Sequence, residues 1–361
     1  MSTILIAVFV AGIALTIILS RMGRSDEIAR WRFLAYKACS IYLLISIGLE
    51  GGTKVGEQGL MAVLDTGIIS IVVSTIIFFI AYTLLTRFTQ FSDQTRISWA
   101  AHQGSVSVGT YAAAIAIFTE SGIAVNPLSA AWLVLMEVPA IIVGLIFLSR
   151  TGNSSGGFKK LLFDRSILIM TGMLIVGYFF GSATKDFWQP IFDGTAFYVV
   201  LSFFLFEMGR KAGKYIKKLG QDSLPIIGFG LVFPLLFGSL GLAICALYGL
   251  PMNDVAMFGV LFASASYVLA TAVMESVCSE KAAVALSLTA SLGVTLPFNL
   301  LVGIRLYQWV AVHLTAETEA STYISFAMLG IVALITFIAF SPFGLLGGVE
   351  RTVNAEANGG D

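Results

Sequence analysis

The sequence predicts an all-α polytopic membrane protein: a five-plus-five inverted repeat with two interrupted, crossing helices, followed by one extra C-terminal transmembrane helix. Three observations lead to this prediction. Of the 361 residues, 57% are hydrophobic and only 12% are charged, a composition outside the usual range of soluble domains. About eleven apolar stretches are long enough to span a bilayer. Finally, two Ser-rich interruptions occupy matching places in the two halves of the chain.

The predicted spans cover most of the chain and leave only short connections. Such connections leave no room for a separate soluble catalytic domain. The first stretch lacks a charged leading segment and a small-residue cleavage site, so we expect a retained helix rather than a cleaved signal peptide. The predicted spans are Thr3–Ser20, Phe33–Leu49, Thr66–Leu85, Ser98–Phe118, Pro127–Leu148, Ser166–Gly181, Thr195–Met208, Leu224–Leu250, Val255–Met274, Ala282–Ile304 and Ile324–Phe343.

The distribution of basic residues predicts the orientation. With the N-terminus outside, only Lys54, Lys185 and Arg305 of the 21 Lys and Arg residues fall on the outer side. Cytoplasmic loops are enriched in Lys and Arg, so we expect a bacterial inner-membrane protein with an outer N-terminus and a cytoplasmic C-terminus. The basic run Arg210–Lys218 is interpreted as a topology signal; the alternative is a contact with anionic lipid headgroups.

The interruptions are the most informative stretches. Residues 103–110 read QGSVSVGT inside the fourth predicted span, and residues 262–276 read FASASYVLATAVMES in the ninth. Aligned without gaps, Ser105 matches Ser264 and Ser107 matches Ser266. Broken backbone is tolerated at membrane depth only where it is buried in protein or lines a wet cavity. Two such breaks at corresponding places point to the binding site of a secondary transporter.

Two further pairs of segments support the repeat. The predicted ends of spans two and seven share a sequence pattern, an acidic residue followed by glycine and then by a basic residue. The two segments are Glu50–Lys54 and Glu207–Lys211. Glu137-Val138-Pro139 in span five also falls near Thr295-Leu296-Pro297 in span ten. The sequence thus predicts five parts: a first repeat at residues 1–150, a flexible cytoplasmic linker at 151–165, a second repeat at 166–312, an extra transmembrane helix at 321–346, and a disordered tail at 347–361.

The two breaks suggest a site for a small anion. The N-terminus of a half-helix offers unpaired amide N–H groups and the positive end of its dipole. Hydroxyl groups at the breaks add donors. The alternative is that small residues here only allow helices to cross closely. The candidate anion-binding residues are Gly104, Ser105, Ser107, Thr110, Ser264 and Ser266.

Glu137 is the candidate for a coupling cation. It lies about ten residues into a predicted span, where an ionised carboxylate is costly and usually faces a partner or an ion path. We expect it to bind Na⁺ together with Thr289 and Thr295 of span ten, or to carry a proton. The alternative is a protonated or hydrogen-bonded Glu137 that only holds neighbouring helices together.

Enzymatic function is not expected. The chain has no HExxH, GxSxG, GxGxxG or phosphate-binding loop sequence, and no paired intramembrane aspartates. Its three cysteines are scattered without a CxxC spacing, which argues against a metal site or a disulfide framework. Nothing in the composition suggests a nucleic-acid partner. The remaining non-transport alternatives are a membrane sensor and, remotely, an intramembrane serine protease.

Three segments resemble the SbtA-type sodium-dependent bicarbonate transporters. Residues 42–52, YLLISIGLEGG, are similar to the family's LLTKIGLTGG; residues 104–114, GSVSVGTYAAA, to GAVSGSTMAAA; and residues 136–140, MEVPA, to MDIPA. The resemblance spans the first ten predicted helices. It implies an elevator-type homotrimer that binds bicarbonate and Na⁺ where the broken helices cross, and by position it singles out Ser107, Thr110, Ser264 and Ser266.

The sequence also departs from that family. Where the family has an aspartate in SSSDISGPP, this chain has Tyr267, so one candidate Na⁺ ligand is missing. The inner linker is short, which argues against a PII-like regulatory partner. A proton- or sodium-coupled carboxylate carrier, or a cation/proton exchanger that uses Glu137, therefore stands as the alternative to bicarbonate symport.

Overall fold

The regular secondary structure is helical in the computed structural model, which describes residues 2–22, 30–150, 157–192, 194–219, 223–316 and 319–340. Within these residues, three π-helical turns interrupt the α-helices, at Gly177–Gly181, Ser291–Thr295 and Asn299–Gly303. The α-helices are α1 Ser2–Arg21, α2 Arg30–Gln58, α3 Met61–Phe88, α4 Asp93–Gly104, α5 Val108–Glu120, α6 Ser129–Glu137, α7 Pro139–Arg150, α8 Gly157–Leu162, α9 Arg165–Val176, α10 Lys185–Phe192, α11 Gly194–Ile216, α12 Leu224–Leu247, α13 Met252–Ala263, α14 Leu269–Val277, α15 Lys281–Ala290, α16 Leu296–Phe298, α17 Ile304–Leu314 and α18 Glu319–Phe340.

Seven helical runs within the described residues are long and apolar enough to cross a membrane. They correspond to seven of the eleven predicted spans. The other four are the two interrupted spans, the shorter helix Arg165–Gly181 and the last helix, of which Ser321–Ile335 is apolar. A chain with this many apolar helices is a multi-pass membrane protein.

The helices form two packed groups. In the first, α1 packs along α11, and α2 packs along α9 and its π-helical turn. In the second, α4 packs between α3, α7 and α15, while α13 packs between α12 and α17. The last helix, α18, lies against α12. Helices α4 and α13 therefore belong to the second group, whereas α5 packs against helices of both groups, including α1, α11 and α13.

The predicted end of span two at Leu49 is wrong. Helix α2 continues to Gln58, so the Glu50–Lys54 segment lies inside the helix rather than at its end. The reason is packing: Gly48 and Gly52 lie against α9, Gly56 lies against the π-helical turn that follows α9, and a Cβ on Gly48 would lie 2.6 Å from the Met170 carbonyl oxygen. Small residues at a spacing of four let helix backbones approach closely in membranes.

The predicted end of span seven at Met208 is also too early, because α11 continues to Ile216. Glu207 is buried within this helix and pairs with Arg32 of α2. Gly209 lies where α11 crosses α1, against the Phe9 backbone. Both acid–glycine–base segments are thus helix-packing segments.

Proline interrupts spans five and ten differently. Val138 separates α6 from α7, which begins at Pro139. In span ten, Pro297 lies in the short α16 between two π-helical turns. Proline has no N–H and clashes with the preceding turn, so the helical hydrogen-bond ladder changes register around it.

Some predicted boundaries lie partly outside the described residues. Residues 151–156 of the predicted linker and the whole predicted tail at 347–361 are not described. Helix α8 occupies residues 157–162 of the predicted linker.

Candidate functional site

The first break lies where the sequence predicts it. Helix α4 ends at Gly104, Ser105 and Ser107 have extended backbone conformations, and α5 begins at Val108. Ser107 is the N-cap of α5, since its hydroxyl oxygen accepts hydrogen bonds from the Thr110 N–H at 3.1 Å and the Thr110 hydroxyl at 3.0 Å. Ser is a preferred N-cap residue because this bond satisfies an amide that the helix leaves unpaired.

The second break follows the same plan. Helix α13 ends at Ala263, and α14 begins at Leu269. The Ser264 hydroxyl donates to the Leu261 carbonyl at 2.8 Å. The Ser266 hydroxyl oxygen accepts a hydrogen bond from the Ala270 N–H at 3.2 Å and so supports the first turn of α14. In both halves, the second serine accepts a hydrogen bond from an N–H group in the first turn of the following half-helix, which we call its amide end.

The two breaks touch each other. The Ser107 N–H donates to the Ser264 hydroxyl oxygen at 3.1 Å, and the Ser266 N–H donates to the His102 carbonyl at 2.8 Å. All four residues are at most 2% exposed. Serines from the two breaks, Ser107 and Ser264, therefore meet at a buried crossing.

Neighbouring helices hold the carbonyl ends of the broken helices. Ser74 of α3 donates to the Gly104 carbonyl at 2.6 Å, and Asn299 donates to the Ala263 carbonyl at 2.9 Å. A Cβ on Gly104 would lie 2.5 Å from Ala140, so this glycine serves close packing against α7. Sequence reasoning missed Ser74 as a partner of the break, and only the three-dimensional packing identifies it.

Ser105 connects the break to Glu137. Its hydroxyl donates to the Glu137 carbonyl oxygen at 2.9 Å, at the end of α6. The Glu137 side chain is buried, and its Oε2 atom has no hydrogen-bond partner among the residues that the structure describes. A buried carboxylate oxygen without a partner is costly, which makes it a candidate ligand for a cation or carrier of a proton.

Gln103 is a second buried polar group without partners. It lies in the last turn of α4 and is 1% exposed, and within the described part of the chain neither its amide nitrogen nor its amide oxygen is hydrogen-bonded. Such groups in native proteins are uncommon and often mark functional positions. Sequence reasoning included Gln103 in the break but gave it no role, although an uncharged polar side chain inside an apolar span was the available signal.

Thr289 and Thr295 do not donate to Glu137. The Thr289 hydroxyl donates to the Ala285 carbonyl in its own helix at 2.7 Å, and the Thr295 hydroxyl donates to Gly230 of α12 at 2.9 Å. Each hydroxyl oxygen keeps lone pairs that can face a cation. Their role as Na⁺ ligands stays a prediction.

Tyr267 occupies the amide end of α5. Its hydroxyl lies against Gly109, where any Cβ would overlap it, and the ring is 7% exposed. Helix geometry gives the Val108 and Gly109 N–H groups no partner within α5, and the Tyr267 hydroxyl lies beside these amides. The residue that replaces the family's aspartate thus contacts the candidate anion site directly.

His102 joins the two broken helices from the other side. Its Nδ1 lies 2.7 Å from the Ser98 carbonyl, which can only accept, so Nδ1 carries a proton. Its Nε2 lies 3.1 Å from the Thr271 hydroxyl of α14. The imidazole therefore fixes the position of α14 against α4.

One family of known proteins matches most of the chain. Residues 5–312 match the family described as the Na⁺-dependent bicarbonate transporter superfamily. The match includes both broken helices and ends before α18. No curated protein matches the chain. Because the family match covers most of the chain, the protein belongs to the Na⁺-dependent bicarbonate transporter superfamily.

Proposed function

We propose that the protein imports bicarbonate together with Na⁺, as a secondary active symporter of a bacterial inner membrane. The observation that carries this proposal is the hydrogen-bonded crossing of two broken helices through Ser107, Ser264, Ser266 and His102. Crossing half-helices place amide ends, which suit an anion, beside freed carbonyls, which suit a cation.

Bicarbonate binds at the amide ends of α5 and α14. The dipoles of both half-helices favour a monoanion there without a buried arginine. The Ser107 and Ser266 hydroxyl oxygens each already accept a hydrogen bond from one backbone N–H. These side chains therefore fix the conformation of the amide ends rather than bind the anion themselves. The remaining amides and the Tyr267 hydroxyl provide donors for the three oxygens of the anion.

Na⁺ binds on the side of Glu137. The unpaired Oε2 atom of Glu137 and the Gln103 side chain provide oxygen ligands of the kind that hard cations prefer. The Thr289 and Thr295 hydroxyl oxygens are the ligands expected from span ten. A cation at Glu137 would also balance the charge of bicarbonate, so the two ions would stabilise each other's binding.

The packing supports an inverted repeat and an elevator mechanism. In an inverted repeat of this kind, span one is equivalent to span six, and span two is equivalent to span seven. If span one packs against span seven, the symmetry therefore requires span six to pack against span two. Both pairings occur, as α1 with α11 and α9 with α2. We propose that this first group of helices is the scaffold of a homotrimer and that the second group moves against it. No PII-like regulator is assigned.

A second candidate function is a proton-coupled carboxylate carrier or a cation/proton exchanger. The buried, unpaired Glu137 carboxylate favours it, because the same atom could carry a proton instead of binding Na⁺. This alternative predicts flux driven by a pH gradient without Na⁺.

Uptake of labelled bicarbonate into proteoliposomes tests the proposal. We expect uptake only with an inward Na⁺ gradient, and its loss in Glu137→Gln. Glu275→Gln is the matched control, because Glu275 is an exposed carboxylate on α14. Bicarbonate flux without Na⁺, or full Na⁺-driven flux in Glu137→Gln, would contradict the cation site; proton-driven flux of another carboxylate would favour the second candidate.

A further inference from the structure

Each broken helix carries an amide side chain near its start. Gln94 on α4 and Asn253 on α13 both lie eleven residues before the first serine of their break, Ser105 and Ser264 respectively. The gap-free alignment that pairs these serines therefore also pairs Gln94 with Asn253. Because α4 and α13 both run towards the crossing, the two amides lie at the helix ends remote from it, which we call the far ends.

At its far end, α13 is hydrogen-bonded to the connection that follows α5. The Asn253 side-chain amide donates to the Ala124 carbonyl at 2.9 Å, and the Asn126 side-chain amide donates to the Asp254 carboxylate at 3.0 Å. At the crossing, the same two helices are joined by the hydrogen bond between their breaks. Since α5 runs away from the crossing, α5 and α13 are antiparallel neighbours that are fastened at both ends.

The far end of α4 makes the equivalent contacts with the connection that follows α14. The Gln94 side-chain nitrogen donates to the Ser279 hydroxyl at 2.8 Å, and its oxygen accepts from the Glu280 N–H at 3.0 Å. The Ser92 hydroxyl donates to the Glu280 carboxylate at 2.6 Å. At the crossing, the His102 carbonyl accepts a hydrogen bond from the second break. In each case a broken helix of one half is joined to a connection of the other half.

We infer that the broken helices form two antiparallel pairs, α5 with α13 and α4 with α14, and that each pair stays fastened at its far end throughout transport. Gln94 and Asn253 are the equivalent positioning residues of the two pairs. A binding site keeps its geometry when neighbouring hydrogen bonds hold the elements that form it. The far-end contacts therefore fix where the amide ends of α5 and α14 lie. The inference rests on the proposed anion site at these amide ends and on the proposed movement of the second group of helices.

The chemistry of the far ends favours movement of each pair as a unit. Apolar packing is non-directional, whereas hydrogen bonds fix how far one helix extends along the other. Opening the first far end would leave the buried Asp254 carboxylate without its Asn126 donor. Opening the second would take both of these bonds from Gln94, which is 8% exposed. A buried polar group that loses its partner is costly, so separation of either pair is disfavoured.

Covalent links in proteoliposomes test whether the far ends stay fastened. The native cysteines are replaced first: Cys39, Cys245 and Cys278. Asn126→Cys with Asp254→Cys, or Gln94→Cys with Ser279→Cys, is then introduced, and a short bifunctional thiol reagent that forms reducible bonds links the two residues. We expect Na⁺-driven bicarbonate uptake to be the same before and after linking.

Ser2→Cys with Glu120→Cys is the matched control, because the Ser2 N–H donates to the Glu120 carboxylate at 2.6 Å and joins α1 to α5. Helix α1 belongs to the first group and α5 is paired with α13 of the second, so this link should abolish uptake until it is reduced. Loss of uptake on linking a far end, regained on reduction, would show that the pair separates and would overturn the inference. A far end that fails to link although the control links would overturn it as well.

Amide hydrogen exchange tests the same contacts without any flux. Gln94→Ala should speed exchange of the Glu280 N–H by about tenfold, the factor that loss of one hydrogen bond predicts. Gln90→Ala is the control, because Gln90 is an exposed amide just before α4, and it should leave this exchange unchanged. Equal exchange in the two variants would contradict the pairing. A protein without bicarbonate uptake before linking would contradict the proposed function instead, and the exchange result would still decide the inference.

Discussion

Replacing Ser107 by alanine should loosen the first turn of α5 without separating the two breaks. The substitution removes the hydroxyl oxygen that accepts from the Thr110 N–H at 3.1 Å and from the Thr110 hydroxyl at 3.0 Å. The bond from the Ser107 N–H to Ser264 belongs to the backbone and remains possible. The effect should therefore be confined to the amide end of α5.

The expected magnitude follows from these two lost bonds. Loss of an N-cap serine costs about 1 kcal/mol. The Thr110 hydroxyl is 1% exposed, and a buried donor left without its acceptor costs about 1–3 kcal/mol. Together they should reduce the free energy of local unfolding by about 2–4 kcal/mol, which corresponds to a roughly 30- to 1,000-fold increase in local opening.

Amide hydrogen exchange in lipid nanodiscs measures this opening. Peptides that cover residues 108–114 should exchange faster in Ser107→Ala, whereas peptides from α13 should not change. Thr110→Val is the matched control: it removes one donor but keeps the N-cap bond, so its effect should be about 1 kcal/mol or less. Bicarbonate uptake should fall in Ser107→Ala because the amide end is no longer fixed.

Two results would refute this reasoning. Unchanged exchange at residues 108–114 would show that Ser107 does not cap α5. Faster exchange that extends through α13 and α14 would show that the Ser107 side chain, rather than its backbone N–H, holds the crossing together. A double-mutant cycle with Thr110→Val isolates the energy shared by the pair.

Three further predictions concern helix packing, ion pairing and the second break. Gly52→Ala should lower the melting temperature because its Cβ would overlap a carbonyl of α9, whereas Gly172→Ala, with open space around its Cβ, should leave it unchanged or raise it slightly; scanning fluorimetry decides. Arg32→Gln should destabilise the fold by about 3 kcal/mol because Glu207 is then buried without its partner. The double variant Arg32→Gln with Glu207→Gln should regain most of the lost stability. A double variant as unstable as Arg32→Gln alone would contradict the ion pair. Asn299→Ala should increase amide exchange around the second break by removing the donor to the end of α13, a cost of about 1–3 kcal/mol; unchanged exchange would mean that this carbonyl finds another donor.

The sequence by itself determined the membrane class and the positions of both breaks. Apolar runs reveal spans because backbone polar groups must bond internally in lipid, so composition along the chain is informative without any tertiary contact. Ser107 and Ser266 were identifiable for the same reason: a serine between small residues interrupts a helix locally and caps the next one. Glu137 was identifiable because a carboxylate inside an apolar span is rare.

Tertiary structure alone decided what these residues contact. The end of α2 was misplaced because the glycine stripe at Gly48 and Gly52 is stabilised by α9, a partner more than 100 residues away in sequence. Glu207 of α11 pairs with Arg32 of α2, a residue 175 positions away in sequence. Tyr267 was visible in the sequence only as a substitution, whereas its place over Gly109 depends on how two broken helices cross. Hydropathy and local motifs involve residues close together in sequence, so they can be recognised without a structure. A site between helices is formed by residues far apart in sequence, so its contacts are known only once the packing of the helices is known.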